Sequence, residues 1–257
     1  MSTIPKPNTK PSAAIFLNYK SGEDELRIPG NIRDLAHFRR WMLSPAFPER
    51  GRIDWLNGKM FVDMVSEDVF GHGTLKNAIS WMLSDRIERA GMGFVLVDSS
   101  RVTCPGQKMS VEPDVLVLLK SSVESGLVRM KRRRDQRILE IEGPPDLVVE
   151  CVSKWSKKKD TEMLREAYFQ AGVKEYWIAD GRAVRGQYPE FARLEILTPA
   201  TSGYTAAPAD AAGFCFSPLL DCQIRIRSIT MLPDMVRWEV QSEPHGADLD
   251  SPAPCIV

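Results

Sequence analysis

The chain has 257 residues, of which 43% are hydrophobic and 26% are charged. These values are typical of a globular protein and exclude a disordered or fibrous chain. Such a length buries roughly 70% of the unfolded surface, so folding requires neither disulfides nor a structural metal. Basic and acidic residues number 34 each, so the overall charge does not attract nucleic acid and a basic binding surface has to be local.

Targeting and redox features are also informative. Five widely spaced cysteines form no CxxC pair, which argues against a zinc ribbon. Residues 1–11 lack the apolar stretch of a signal peptide, and no run approaches the roughly 20 apolar residues of a membrane span. We therefore expect a reduced, cytoplasmic protein without membrane contact.

The composition at both ends predicts flexible tails. Residues 1–12 mix Pro, Lys, Ser and Thr without periodicity, and residues 239–257 carry four acids, three prolines and no lysine or arginine. Such segments are usually solvated. Since neither a repeat nor a Gly/Ser linker divides the remainder, we predict one domain over residues 13–238.

The first elements of this domain are a helix and a hairpin. Residues 31–43 show apolar residues at helical spacing, with Asn31 as the expected N-cap. Residues 51–64 predict two short strands around Asn57-Gly58, because Asn-Gly is the strongest two-residue hairpin signal.

A longer helix and a set of strands follow. Residues 72–90 carry one apolar stripe, with Lys76 on another face. Strand-like runs lie at residues 94–98, 113–119, 137–142, 146–152, 175–179 and 193–197. Between the fourth and fifth runs, residues 160–171 have helical spacing. These elements predict an α/β fold in which helices flank a mixed central β-sheet.

Two acids lie in otherwise apolar strands, Asp114 in EPDVLVLL and Glu150 in PDLVVECVS. Burying a carboxylate costs several kcal/mol unless it is paired or binds a cation. Either acid could bond loop backbone at a strand end, but Glu150 lies inside its strand and needs a counter-charge. Because Mg²⁺ takes one or two carboxylates together with phosphate and water, we predict a divalent metal, Mg²⁺ or Mn²⁺, on this pair.

Basic segments lie close to both acids in the sequence. Lysines at 154 and 157–159 follow the Glu150 strand, and an arginine cluster separates the two acidic strands. A charge run is often only a solvated surface, but clustering in a neutral chain suits a polyanionic substrate. We predict nucleic-acid contacts from Lys157, Lys158, Lys159, Arg132, Arg133 and Arg134.

Glu67 and His72 stand at the start of the 72–90 helix. They are either ordinary first-turn residues or groups that lean toward the metal and orient water or substrate. We include both among the candidate catalytic residues.

The strings EPDVLV, GPPDLVVECVS and KKDTEMLREAYFQAGVKEYWIAD resemble the Uma-two family of predicted endonucleases, a branch of the PD-(D/E)XK nuclease superfamily. The upstream GRIDWLNGKMFVDM and EDVFGHGTLK resemble the same family. The resemblance implies a restriction-endonuclease-like fold and metal-dependent hydrolysis of DNA. It also implies that Asp114 and Glu150 are the two catalytic acids of the superfamily motif.

The lysine of that motif is missing here. The position two residues after Glu150 is Val152, and the helix position that commonly replaces it, four residues after Asp160, is Leu164. We therefore predict Lys154, close by in sequence, as the catalytic cation.

The main-chain carbonyl of Cys151 is a further predicted metal ligand. Strand alternation turns the Cys151 side chain away from the Glu150 face, so we expect its thiol to lie in the core.

Two functions remain open. A metal-dependent DNA endonuclease is favoured by the two acids, whereas a catalytically inactive module that binds nucleic acid or a protein partner is favoured by the missing lysine. The lack of a GxxxxGK[ST] loop argues against a nucleotide-binding protein. Because duplex cleavage needs two active sites, we expect a homodimer.

Overall fold

The computed structural model describes residues 15–17, 26–48, 51–63, 67–133, 135–154 and 156–244. The strands are β1 (Ile15–Leu17), β2 (Leu26–Ile28), β3 (Arg52–Leu56), β4 (Lys59–Asp63), β5 (Gly93–Val97), β6 (Val102–Cys104), β7 (Met109–Val111), β8 (Val115–Leu119), β9 (Arg129–Arg132), β10 (Ile138–Glu142), β11 (Leu147–Cys151), β12 (Glu175–Asp180), β13 (Arg193–Ala200), β14 (Gly203–Ala206), β15 (Cys215–Ser217), β16 (Cys222–Leu232) and β17 (Met235–Pro244). The helices are α1 (Leu35–Met42), α2 (Thr74–Ile87), α3 (Lys120–Glu124) and α4 (Arg165–Ala171).

A six-stranded mixed sheet, in the order β14-β13-β12-β11-β8-β5, forms the centre of the fold. Strands β11 and β12 are parallel, and the other neighbours are antiparallel. All five residues of β11 are buried, as its continuous apolar run predicts.

The two faces of this sheet are covered differently. Leu147 and Val149 pack against α2 and against a three-stranded sheet of β15, β16 and β17. Val148 packs on the opposite side, with α4 and a second six-stranded sheet in the order β4-β3-β7-β6-β10-β9. The predicted mixed α/β fold with helices flanking a central sheet is thereby confirmed.

The Asn57-Gly58 turn joins β3 to β4 as predicted. Both residues have positive φ, 50° for Asn57 and 78° for Gly58, which is the backbone that a two-residue type I′ turn requires. The strand β3 that this turn positions carries two charged residues of the site described below.

Several predicted boundaries move. Asp34 caps α1 in place of Asn31, since its side chain accepts a hydrogen bond from the His37 main-chain N–H at 2.8 Å. Helix α2 ends at Ile87, before the predicted residue 90. The domain boundary expected at residue 238 falls inside β17, which continues to Pro244 because it pairs with β16 along its length.

The predicted tail over residues 1–12 and the last part of the acidic tail, 245–257, lie outside the described residues. Within the described part, no helix is both long and apolar enough to cross a membrane.

Candidate metal and nucleic-acid site

The two predicted acids meet at one edge of the central sheet. Val115 at the start of β8 pairs with Val149 near the end of β11, and antiparallel register therefore places Asp114 beside Glu150. Both side chains belong to residues that are only 1% exposed. Two carboxylates buried side by side require positive charge close by.

Arg52 of β3 provides part of that charge. One of its guanidinium nitrogens, Nη2, lies 2.6 Å from Asp114 Oδ1, and the other, Nη1, lies 4.0 Å from Glu150 Oε2. Asp114 Oδ2 also accepts a hydrogen bond from the main-chain N–H of Cys151 at 2.7 Å. Burial opposes ionisation, but the hydrogen bond from His72 and the charge of Arg52 hold the pKa of Asp114 well below its usual range.

Glu150 has weaker partners. Its Oε1 accepts a hydrogen bond from the Tyr168 hydroxyl of α4 at 3.0 Å. Burial, and next the negative charges of Asp114 and Asp160, raise the pKa of Glu150 well above its usual value. The neutral form of this carboxyl is therefore favoured when no further cation is bound.

Lys159 is a second buried cation next to the acids. Its Nζ lies 3.0 Å from Asp54 Oδ2 of β3, and the two side chains are 12% and 2% exposed. Burial disfavours the charged lysine, but the charges of Asp54 and Glu150 raise its pKa above the ordinary value. Lys159 thus acts as an internal counter-ion.

Three ligand atoms, from Glu67, His72 and Asp114, lie within 4.8 Å of one another. A π-helical turn, Val69–Gly73, precedes α2 and carries His72. His72 Nδ1 is 2.9 Å from Glu67 Oε2, and its Nε2 is 3.4 Å from Asp114 Oδ2. One imidazole nitrogen and two carboxylates form a donor set that fits a divalent metal such as Mn²⁺.

The same contacts set the protonation of this cluster. Burial alone would lower the pKa of His72, but hydrogen bonds to Asp114 and Glu67 raise it to about 10. The hydrogen bond from His72 lowers the pKa of Glu67 to about 2. Lys76 also reaches Glu67, at 3.0 Å, so this lysine is buried in the site.

These groups open into a pocket of about 760 Å³. Its walls include five predicted site residues, namely Glu67, His72, Asp114, Cys151 and Lys154. The opposite wall comes from the segment between β12 and β13 and from the start of β13, with Arg182, Arg185, Phe191 and Arg193. The sequence does not indicate this wall, because its arginines are spaced too widely to form a charge run.

The predicted basic residues separate into distinct regions. Lys157 and Lys158 are exposed at the start of the helical segment that follows β11, and their contact with nucleic acid stays a prediction. Lys159 turns inward to Asp54, which contradicts its predicted contact with nucleic acid. Burial of its ammonium group beside three acids gives the physical reason.

Arg132 and Arg133 lie at the β9–β10 hairpin, at the edge of the second sheet. Four strand spacings, or about 19 Å, separate β9 from β3. Arg132 and Arg133 therefore do not lie beside β3, and Arg133 pairs with Asp135. Their contact with nucleic acid stays a prediction. Arg134 lies outside the described residues.

Cys151 contributes in two ways. Its main-chain N–H fixes Asp114, and its side chain packs among core residues that contact α2. Burial raises the pKa of the Cys151 thiol well above its ordinary value, so the thiol is a core group as expected. Its carbonyl oxygen remains a predicted metal ligand.

The chain is similar to a solved structure and to a protein family. No curated protein matches the chain. A crystal structure described as "a putative nuclease belonging to DUF820", from Anabaena variabilis ATCC 29413, aligns with a TM-score of 0.51 and 16% sequence identity, covering 73% of this chain and 90% of the other. This similarity supports the predicted restriction-endonuclease-like fold. The model of the Uma2 family, described as "Putative restriction endonuclease", matches residues 35–217, and the chain therefore belongs to the Uma2 family.

Proposed function

We propose that this protein is a metal-dependent endonuclease that hydrolyses phosphodiester bonds in DNA. The convergence of Glu67, His72 and Asp114 in one pocket is the observation that carries the proposal. Ionisable side chains clustered in a pocket are typical of sites where a bound metal ion acts on an anionic substrate. The exposed lysines beside the pocket supply local positive charge in a chain with no net charge.

Glu67, His72 and Asp114 would hold the metal, with Glu150 and the Cys151 carbonyl as the further predicted ligands. A bound Mg²⁺ or Mn²⁺ would polarise the scissile phosphate and lower the pKa of the attacking water. Arg52 fixes the orientation of Asp114 through their 2.6 Å contact. The Cys151 N–H holds the other oxygen of the same carboxylate.

Two other lysines provide positive charge in this proposal, because the lysine of the superfamily motif is missing. Lys154 lies in the pocket wall and is exposed, which supports a role in which its ammonium group contacts the phosphate and stabilises the negative charge that develops there. Lys159 is the internal counter-ion of Asp54, with its Nζ 3.0 Å from Asp54 Oδ2. Lys154 is thus a candidate catalytic residue, and Lys159 is a positioning residue.

The test is a cleavage assay on circular and linear DNA across a series of Mg²⁺ and Mn²⁺ concentrations. Metal-dependent cleavage that Asp114→Asn abolishes supports the proposal. Asp85→Asn is the matched control, because Asp85 pairs with Arg89 on the helix surface. DNA binding without cleavage at any metal concentration would overturn the proposal in favour of an inactive binding module.

We also propose that cleavage of both duplex strands uses a homodimer, because the described part of each chain contains one cluster of Glu67, His72 and Asp114. Light scattering of the purified protein tests the assembly. A monomer that nevertheless cuts both strands in a single binding event would contradict it.

A further inference from the structure

The segment over residues 181–192, between β12 and β13, forms one wall of the pocket. Val184 and Gln187 exchange main-chain hydrogen bonds of 2.8 and 3.1 Å. The two residues between them, Arg185 and Gly186, have φ values of 55° and 81°, as in a type I′ turn. Residues 184–187 therefore form a tight hairpin turn within this segment.

Its far end is fastened to the neighbouring strand. The Ala192 N–H donates to the Ile226 carbonyl of β16 at 3.0 Å, and the Ser228 N–H donates to the Glu190 carbonyl at 2.8 Å. These two bonds lie on either side of Phe191 and fix its backbone.

Phe191 is held from one side and remains accessible. The guanidinium carbon of Arg225 lies 4.8 Å from the centre of its ring, and Arg225 is itself fixed by hydrogen bonds to Gln241 and to the Ala212 carbonyl. Phe191 is nevertheless 38% exposed and lines the pocket. An aromatic ring with this support is pre-organised to stack.

Positive charge flanks this ring. Arg193 follows it by two residues, has a side chain that is 75% exposed, and forms an ion pair with Glu195 through Nη2. Arg185 stands at the tip of the hairpin and is exposed. Both line the same pocket as Asp114 and His72. Cations around an accessible ring are the features that bind single-stranded nucleic acid.

We propose that Phe191 is a stacking platform for an unpaired base, with Arg185 and Arg193 contacting the adjacent phosphates. A base within a duplex already has neighbours on both faces, so the ring would accept only a base from a single strand, a frayed end or a flap. The inference rests on the proposed function for the identity of the pocket, and it deepens that function by assigning unpaired strands as the substrate class.

The experiment measures binding of a labelled single-stranded oligonucleotide by fluorescence anisotropy, in EDTA so that no cleavage occurs. Phe191→Ala should weaken binding by about 5- to 100-fold, the usual effect of losing one base–aromatic stack. Phe191→Leu keeps the apolar volume and should weaken binding comparably, whereas Phe191→Trp should retain it. Trp81→Ala is the matched control, because Trp81 is an aromatic residue 71% exposed on α2.

A variant of Arg193 and a duplex oligonucleotide test the proposal independently. Arg193→Gln should weaken binding and reduce the dependence of affinity on salt by about one phosphate contact. A blunt duplex of the same sequence should show little difference between wild type and Phe191→Ala. The proposal is overturned if Phe191→Leu binds the single strand as tightly as wild type, or if the duplex is affected equally.

The outcome separates this inference from the proposed nuclease activity. If the wild type cleaves DNA and Phe191→Ala binds single strands normally, the stacking platform is refuted and the nuclease proposal stands. If the Phe191 variants behave as expected but no metal supports cleavage, the platform stands and the nuclease proposal fails.

Discussion

Removing the ammonium group of Lys159 should strongly destabilise the protein. In Lys159→Met, the carboxylate of Asp54 would lose its 3.0 Å ion pair at a site where its side chain is only 2% exposed. The Glu112 N–H would still donate to Asp54 Oδ1, but Glu150 and Asp160 would lose a neighbouring positive charge. Breaking a buried pair in this way costs about 3–5 kcal/mol, since a lone buried charge remains.

Urea unfolding in EDTA, followed by tryptophan fluorescence, measures this loss. Arg89→Met is the control, because its pair with Asp85 is 83% and 40% exposed and should contribute less than about 1 kcal/mol. The double variant Asp54→Asn/Lys159→Met removes both charges and should recover at least half of the lost stability. A loss below about 1 kcal/mol in Lys159→Met, or no recovery in the double variant, would refute the counter-ion assignment.

Three further predictions concern charge at the pocket. Lys154→Ala should cut metal-dependent cleavage by about 10²-fold with stability and metal affinity unchanged, measured by steady-state kinetics and calorimetry; an unchanged rate would exclude Lys154 as the catalytic cation. Because the pKa of His72 is raised to about 10 when folded, its contribution to the stability of the metal-free protein is complete below about pH 6.5 and is lost as pH rises through 10. The stability gap between wild type and His72→Gln should therefore narrow between pH 7 and pH 10 in urea titrations, and a constant gap would contradict this. Neutralising Lys157 and Lys158 together should flatten the salt dependence of DNA binding without altering sequence preference; an identical slope would mean that both lysines are only solvated.

Much of the central sheet follows from the sequence because its strands have distinctive patterns. The continuous apolar run of β11 predicts a strand buried on both faces, and all its residues are buried. Strand β16 was not among the predicted strands, although Ile224 and Ile226 alternate with arginines in the manner of a half-buried strand. Three-residue strands such as β6 are too short to carry such a pattern.

The sequence predicts the two acids of the candidate site but not the charged residues of β3 beside them. The two acids stand out because they interrupt apolar strands, whereas Arg52 and Asp54 alternate with Ile53 and Trp55 in β3. This alternation shows that the two charged residues and the two apolar residues lie on opposite faces of β3. It does not show which face is covered by the rest of the protein. In the fold both sides are covered, since α1 packs on Ile53 and Trp55, and the charged side therefore faces the buried acids.

Lys159 lies near Leu164, the helix position where the family resemblance implies a lysine, and the geometry of the turn relates the two residues. In an α-helix, residues five apart differ by about 140° around the axis, so Lys159 could not replace a lysine at 164. The turn Lys159–Leu164 is π-helical, and in that geometry residue i lies next to residue i+5. Lys159 and Leu164 therefore share one side of the turn. Leu164, fully buried, fills the core with Tyr168, while Lys159 brings positive charge to the acids from one turn earlier.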